Sequence, residues 1–540
     1  MHKLPYIEKA SSDHGFKQNR KWDRRVILFL FLCTVFVGFG MIVFRLFQLT
    51  IVKGEYYRRL SDENRIKEII IEPKRGTILD RKGAVIAEST IADYRAQAKS
   101  YPAKRSYRDP EALAHLIGYR QLADPTDIAN NRCLIKLKSG EKTGKKGVEK
   151  VYDCDLHGGI GKKLVELDAR GLEKKTLTVL PPEDGKITQL ALDFDLQKKA
   201  HELLNPPAGG KKGAVVAMNP KTGEILALAS SPSFNPQVFE DNNQELMKEY
   251  LLSSDHPLFN RATEGLYPPG SIFKIFIATG ALEEKRIDEN YKVLDTGEIE
   301  AGPLKFGNWY FLQYGRTDGE VDIVKGIKRS NDIFFYKVGS LLGPEKIKYW
   351  GEKFGFARKT GLPFEQAEGM IPSPFWKEEV IKDQWYLGDT YNLSIGQGFL
   401  LVTPIQVAQA TSVFANGGQL CEPQLLKDTT PKCKNLKISE KTMGLLKEGM
   451  KEACATGGTG WPLFDFSVAT GSAKIDVSCK TGTAESIGKH DDPHAWITTF
   501  APSENPEIVV TVLIENGGEG SSVAGPIAKE LLKTYFGGKR

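Results

Sequence analysis

The chain has 540 residues, 41% of them hydrophobic and 26% charged, which is enough for a sizeable core and at least two domains. Its 74 basic and 68 acidic residues are interspersed and leave a formal charge of +6, so no basic face marks a nucleic-acid partner. No Cys-x-x-Cys pair or His/Cys cluster points to a metal, and nothing in the composition asks for a cofactor.

Residues 26–44 form an uncharged run of nineteen, about the length that spans the ~30 Å hydrocarbon core of a bilayer. Lys17, Arg20, Lys21, Arg24 and Arg25 precede it, so the positive-inside rule predicts a cytoplasmic N-terminus with everything after the run outside. A cleaved signal peptide is the competing reading. The length of the run favours an anchor, as does Arg45-Leu-Phe-Gln-Leu-Thr-Ile51 after it, where a cleavage site would need small residues. The start of the chain thus divides into a cytoplasmic tail at 1–25 and a transmembrane anchor at 26–48. Of the seven cysteines, Cys33 falls in the run and six lie beyond it. An even external number is compatible with disulfides in an oxidising space, and Cys421 and Cys433 are the closest pair in sequence.

Residues 49–186 are rich in Lys, Gly and polar turns, with short strands at 67–72 and 77–79, and predict an extended β-rich pedestal. From 187 the texture changes and a second domain, 187–540, begins. Its expected elements are a strand at 187–192, a helix at 195–204 and a hairpin of 213–218 with 225–229. A three-stranded meander around 480–514 and an amphipathic helix at 526–536 follow. Five strands drawn from both ends of the domain, with helices between, predict an α+β fold layered around one antiparallel sheet.

Three motifs stand in this domain: Ser271-Ile-Phe-Lys274, Ser330-Asn-Asp332 and Lys480-Thr-Gly482. Together they supply a nucleophile, a proton acceptor, a hydroxyl relay and a fixed cation, the requirements of acyl transfer through a serine ester. Each alone is unspecific. Ser-x-x-Lys recurs at Ser139 to Lys142 and at Ser486 to Lys489, and Lys-Thr-Gly at Lys142, Lys221 and Lys359. The neighbours sort them. Ser271 follows Tyr267-Pro-Pro-Gly270 and opens an apolar run, as the N-terminus of a buried helix would. A lysine one turn on, among Ile272, Phe273, Ile275 and Phe276, is poorly hydrated and is thereby suited to act as a base. The plainer alternative makes Ser271 a helix cap and Lys274 a surface residue. Ser139 sits in a polar, lysine-rich loop, Lys221 in a hairpin turn and Lys359 in another loop. Lys480 alone falls on an expected strand edge that can line a cleft. Ser330-Asn-Asp332 is the least specific motif and reads equally as a helix cap.

With these motifs the chain resembles the class B penicillin-binding proteins, membrane-anchored peptidoglycan D,D-transpeptidases. The resemblance runs from the anchor to the C-terminus. It includes Arg75-Gly-Thr-Ile-Leu-Asp-Arg-Lys-Gly83, Gly147-Val-Glu-Lys150, Asn260-Arg-Ala262, Asp389-Thr-Tyr-Asn-Leu-Ser-Ile-Gly-Gln-Gly398, Val402-Thr-Pro404 and His494-Ala-Trp-Ile-Thr-Thr-Phe-Ala-Pro502. Asp332, where the division type usually has Asn, makes it most similar to the elongation type. The resemblance implies that Ser271 attacks the penultimate D-Ala of a stem peptide, Lys274 takes its proton, and Ser330 relays a proton to the leaving D-Ala. It further implies that Asp332 orients Lys274 and Ser330. Lys480, Thr481, Gly482 and Thr483 would bind the substrate, with the N–H groups of Ser271 and Thr483 as the oxyanion hole. β-Lactams, a SEDS-family glycan polymerase and scaffold proteins of the elongation complex are the implied partners. Elongation-type members that carry zinc near the second motif have a His in Gly-His-Gly and a Cys in Ser-Cys-Asp. Here those places read Tyr314-Gly-Arg-Thr-Asp-Gly319 and Asn331, so no such metal is expected. A non-catalytic penicillin sensor would be expected to lose one of Ser271, Lys274 or Lys480, and a β-lactamase to lack the pedestal. Neither departure is present.

Overall fold

The computed structural model describes residues 23–91, 93, 101–168, 170–207, 209–468, 474–486 and 492–538. Lys17, Arg20 and Lys21 of the basic flank, and the Lys489 end of the second Ser-x-x-Lys repeat, lie outside the described residues. The chain divides into two compact units, residues 1–70 with 162–180, and residues 71–161 with 181–540.

In the first unit the apolar run is a helix, Arg24–Phe47, opened by Asp23, whose carboxylate accepts the N–H of Arg25. None of its side chains is buried, and with the next turn it makes a continuous span of 29 residues to Val52, long and apolar enough to cross a membrane. Helix Gly54–Arg65 follows, and strands Ile66–Ile71, Gly161–Leu167 and Glu173–Leu180 make a three-stranded sheet in that order.

In the second unit residues 71–161 hold helices as well as strands. Their largest sheet is ordered Ala103–Tyr107, Val85–Ile91, Ile78–Leu79, Thr188–Gln189. The strand expected at 187–192 is therefore short and pairs parallel with Ile78–Leu79, outside the C-terminal sheet. The polar loop expected around Ser139 contains a strand, Lys142–Gly144, paired with Arg120–Leu122. Burial explains it: the Thr143 hydroxyl and the Gly144 N–H both donate to Asp153. A buried ionic cluster lies near by. Glu149 accepts from Arg75 and Arg105, and Glu240 holds Arg120 through two bonds of 2.7 Å. Charges this deep persist because each meets a partner.

The C-terminal sheet has five strands, β1 Gly213–Met218, β2 Ile225–Ser231, β3 Ser478–Ala484, β4 His494–Ala501 and β5 Ile508–Ile514. Their order is β2-β1-β5-β4-β3, antiparallel throughout, with β3 at one edge. Every residue of β1, β2 and β5 is buried, so these strands read as continuous apolar runs rather than alternating ones. The period of two still sorts them: Ala214, Val216 and Met218 enter one core, Val215 and Ala217 the other. Helices α1 Phe194–Leu204 and α7 Gly525–Gly537 cover the second core. Helices α2 Lys274–Glu283, α3 Ile323–Arg329, α4 Asp332–Leu342 and α5 Pro404–Ala415 build the first, and α6 Glu440–Ala453 packs beside α3. The six cysteines beyond the apolar helix are all paired, as Cys133–Cys154, Cys421–Cys433 and Cys454–Cys479.

Candidate active site

The chain enters the site through Pro268, Pro269 and Gly270. Gly270 has φ +56°, and a Cβ there would stand 2.8 Å from the carbonyl oxygen of Thr483, so only glycine fits. The helix expected from Ser271 begins as a tight turn, Gly270–Phe273, that runs into α2 at Lys274. Ser271 is half-buried and lines a cavity, whereas Lys274 is 0% exposed, which excludes the surface-lysine alternative. The Lys274 ammonium donates to Asp332 Oδ1 at 2.6 Å and to the Ser330 carbonyl at 2.7 Å, and lies 3.4 Å from Ser330 Oγ. Burial pushes the pKa of Lys274 down, against the upward pull of Asp332.

The second motif sits where two helices meet. Ser330, with φ +54°, ends α3, and Asn331 caps α4 by accepting the Phe334 N–H at 2.9 Å. One tripeptide thus caps a helix with Asn331 and lines the cavity with Ser330 and Asp332. The turn between the helices sends Ser330 towards Lys274 and Lys480. Asp332 Oδ2 accepts the Trp309 N–H at 2.9 Å, and the Asp332 N–H donates to Asn308 Oδ1 at 3.1 Å.

The third motif lies on β3. Its alternation puts Lys480 with Gly482, and a Cβ on Gly482 would stand 2.8 Å from the Pro269 carbonyl oxygen, so that face is pressed against the Ser271 turn. Lys480 therefore does not sit open on the cleft edge, as the sequence suggests, but is 0% exposed. Its ammonium donates to Ser330 Oγ at 2.8 Å and to the Thr481 carbonyl at 2.9 Å. Burial first, and then repulsion from Lys274, holds its pKa well below the usual lysine range. Thr481 and Thr483 line the cavity instead. The Thr483 carbonyl accepts from Gln397 Nε2 at 3.3 Å. In an antiparallel strand N–H and C=O of one residue point to the same side, so the Thr483 N–H also faces the free edge.

The cavity measures about 680 Å³ and brings together Ser271, Ser330, Asp332, Thr481 and Thr483. Trp309, Asn392, Gln397 and Thr459 are among its other lining residues. The repeats at Ser139, Lys142, Lys221 and Lys359 are not among its lining residues. Asn392 and Gln397 fall inside the block 389–398 already noted, but Trp309, Asn308 and Thr459 carry no motif. The Gly- and Thr-rich run Ala455-Thr-Gly-Gly-Thr-Gly460 was the available signal for Thr459, whose hydroxyl accepts from Thr481 Oγ1 at 2.8 Å. Among the described residues no group of three or more His, Cys, Asp or Glu is placed to hold a metal.

Residues 213–533 match the family model of the penicillin-binding protein transpeptidase domain, and residues 98–190 that of the penicillin-binding protein dimerisation domain. The peptidoglycan D,D-transpeptidase MrdA of Haemophilus influenzae is 30% identical over 597 aligned positions, covering 92% of this chain and 89% of that one. Penicillin-binding protein 2 of Helicobacter pylori, solved in complex with MreC, superposes with a TM-score of 0.73 at 28% identity, covering 88% of this chain and 99% of that one. A chain of a peptidoglycan synthase complex, solved for its coordination of polymerization and crosslinking, superposes with a TM-score of 0.75 at 26% identity, covering 96% and 99%.

Proposed function

Because this chain belongs to the class B penicillin-binding proteins of the PBP2/MrdA type, we propose that its cleft forms the peptidoglycan cross-link through an ester on Ser271. The protein is a serine-type peptidoglycan D,D-transpeptidase that binds penicillin. The observation that carries the assignment of residues is a fully buried lysine of lowered pKa, one turn from Ser271 and bonded to both Ser330 and Asp332.

In this reading the neutral form of Lys274 takes the Ser271 proton as Oγ attacks the carbonyl carbon of the penultimate D-Ala. The oxyanion meets the N–H groups of Ser271 and Thr483, a contribution of ~3–4 kcal/mol per donor. The amine of terminal D-Ala leaves after taking a proton through the Ser330 hydroxyl, which Lys480 orients from behind. The hydroxyls of Thr481 and Thr483 hold the terminal carboxylate, and that anion favours the protonated form of Lys480 once substrate is bound. Gly482 keeps the strand close to the nucleophile. The amine of a neighbouring stem then attacks the ester carbonyl, loses its proton to the site, and Ser271 is restored.

We also assign residues 1–25 to the cytoplasm, 26–48 to the membrane, 49–186 to a pedestal and 187–540 to the transpeptidase domain, with the bulk of the chain outside the membrane. The role is lateral wall synthesis and cell shape, supported by Asp332 in the second motif. The partners are a SEDS-family glycan polymerase and elongation-complex scaffold proteins. Relatives solved with MreC and within a synthase complex support that choice. The test is D-Ala release and cross-link formation from pentapeptide-bearing glycan by the full chain with a polymerase. Ser271→Ala should release none; release at the wild-type rate refutes the assignment.

A further inference from the structure

A buried carboxylate lies beneath the second motif, and the chemistry above gives it no task. Asp295, 3% exposed, follows the short strand Val293–Leu294. Its Oδ2 accepts three donors, Asn331 Nδ2 at 2.8 Å, Asn308 Nδ2 at 2.9 Å and the Asp318 N–H at 2.9 Å. Its Oδ1 accepts the Gly297 N–H at 2.9 Å. Both amides are fixed at their far ends by backbone donors. Asn331 Oδ1 accepts the Phe334 N–H and Asn308 Oδ1 the Asp332 N–H. Their nitrogens must therefore face Asp295. Two routes thus lead from one carboxylate into Ser330-Asn-Asp332, and the second ends on the ion pair between Asp332 and Lys274.

The zinc that the family resemblance allows near this motif does not fit. Amide nitrogens donate and do not ligate, and two of them point at Asp295. Asp318, the other acid of the cluster, accepts from Arg329 Nε at 2.9 Å and from Asn331 Nδ2 at 3.1 Å. Donors already stand where a cation would have to approach, and the stretch 314–319 has no His.

We propose that Asp295 is a positioning residue for the transpeptidation: its carboxylate holds Asn331 and Asn308, and through Asn308 it holds Asp332 against Lys274, by hydrogen bonds without a metal. This rests on the roles assigned above to Lys274 and Asp332. The group must be a carboxylate because both oxygens only accept. An asparagine in its place turns an NH₂ against at least one N–H donor, whichever way it is oriented. The charged groups facing the site are Asp332 of α4 and Lys480 of β3 around Lys274. Asp318 and the α3 residues Lys325 and Arg329 stand around Asp295.

The experiment measures saturating acylation by a fluorescent penicillin against pH, using the full-length wild type, Asp295→Asn and Asn308→Ala. Asp295→Asn should lower the limiting acylation rate about ten- to a hundredfold with little change in the apparent dissociation constant. The acid limb of the profile should move to lower pH, because a loosened Asp332 raises the pKa of Lys274 less. Asn308→Ala should move both in the same direction by less, since Asn331 stays held, and it carries the test alone if Asp295→Asn does not fold. A fall in rate matched by the loss of folded protein, with the acid limb unmoved, overturns the proposal. So does stoichiometric zinc in the wild type whose chelation slows acylation. Failure of the wild type itself to acylate at Ser271 would count against the catalytic reading, and is seen separately in that arm.

Discussion

Replacing Lys480 by Met separates a lysine that serves the reaction from one that serves the fold. The side chain is wholly buried, and among the described residues its ammonium bonds to Ser330 Oγ at 2.8 Å and the Thr481 carbonyl at 2.9 Å, with no carboxylate among these partners. Methionine fills nearly the same space without the charge. On the reaction side, a charge-assisted bond of ~1.5–3 kcal/mol is lost, which is one to two decades of acylation rate at about 1.4 kcal/mol per decade. On the folding side the sign is opposite. Because the pKa of Lys480 is held well below the ordinary lysine value of about 10.4, the unfolded chain binds more protons across that interval. Stability therefore rises with pH towards the ordinary value, and below the folded pKa the full cost of burying the charge is present. Lys480→Met removes this titration, whereas Lys274, shifted the same way, keeps its own. The variant should melt at or above the wild-type temperature at neutral and lower pH, with a shallower rise towards alkaline pH. Second-order acylation by a fluorescent penicillin and thermal melts at several pH values read both sides. Acylation at the wild-type rate refutes the reasoning, as does a melting temperature that falls in step with the rate.

Glu240→Gln strips Arg120 of its carboxylate in a site where both are buried, so it should cost about 3–5 kcal/mol and lower the melting temperature while acylation per folded molecule is unchanged; an unchanged melting temperature contradicts this. The double variant Cys454→Ala/Cys479→Ala opens a link across 25 residues that ends one residue before Lys480, for a loss of about 3.5 kcal/mol seen in denaturant unfolding under oxidising conditions. Equal stability of the two oxidised proteins would show that the bridge is idle. A reporter fused at the N-terminus should be active only in the cytoplasm and one fused after Arg540 only outside; a mature protein starting beyond Phe44 would mean a cleaved signal.

Apolar runs told the sheet plainly. Strands β1, β2 and β5 are covered on both faces, so their sequences are mostly Val, Ile, Leu and Ala, and the buried helix that follows Ser271 was legible for the same reason. The strand at 187–192 misled because a short apolar run does not say which sheet it joins, and Ile78–Leu79 claimed it. Lys142–Gly144 looked like loop because its order comes from Asp153, a partner found only in three dimensions. In the site, the order and neighbours of the three motifs singled out the copies that the structure brings together. Their depth was not legible. Lys480 reads as a cleft-edge cation until the pleat of β3 and the close pass of Gly482 against Pro269 turn it inward. Asp295, Asn308 and Trp309 have no local signature, because their importance lies in the atoms of 330–332 that they hold.

The ester on Ser271 is tested by the intact mass of the protein after exposure to benzylpenicillin, followed by peptide mapping. One penicilloyl group should be added per chain, carried by the peptide containing Ser271, absent in Ser271→Ala and retained in Ser139→Ala. An adduct of the same stoichiometry on Ser271→Ala, or one that maps to any other serine, would contradict it.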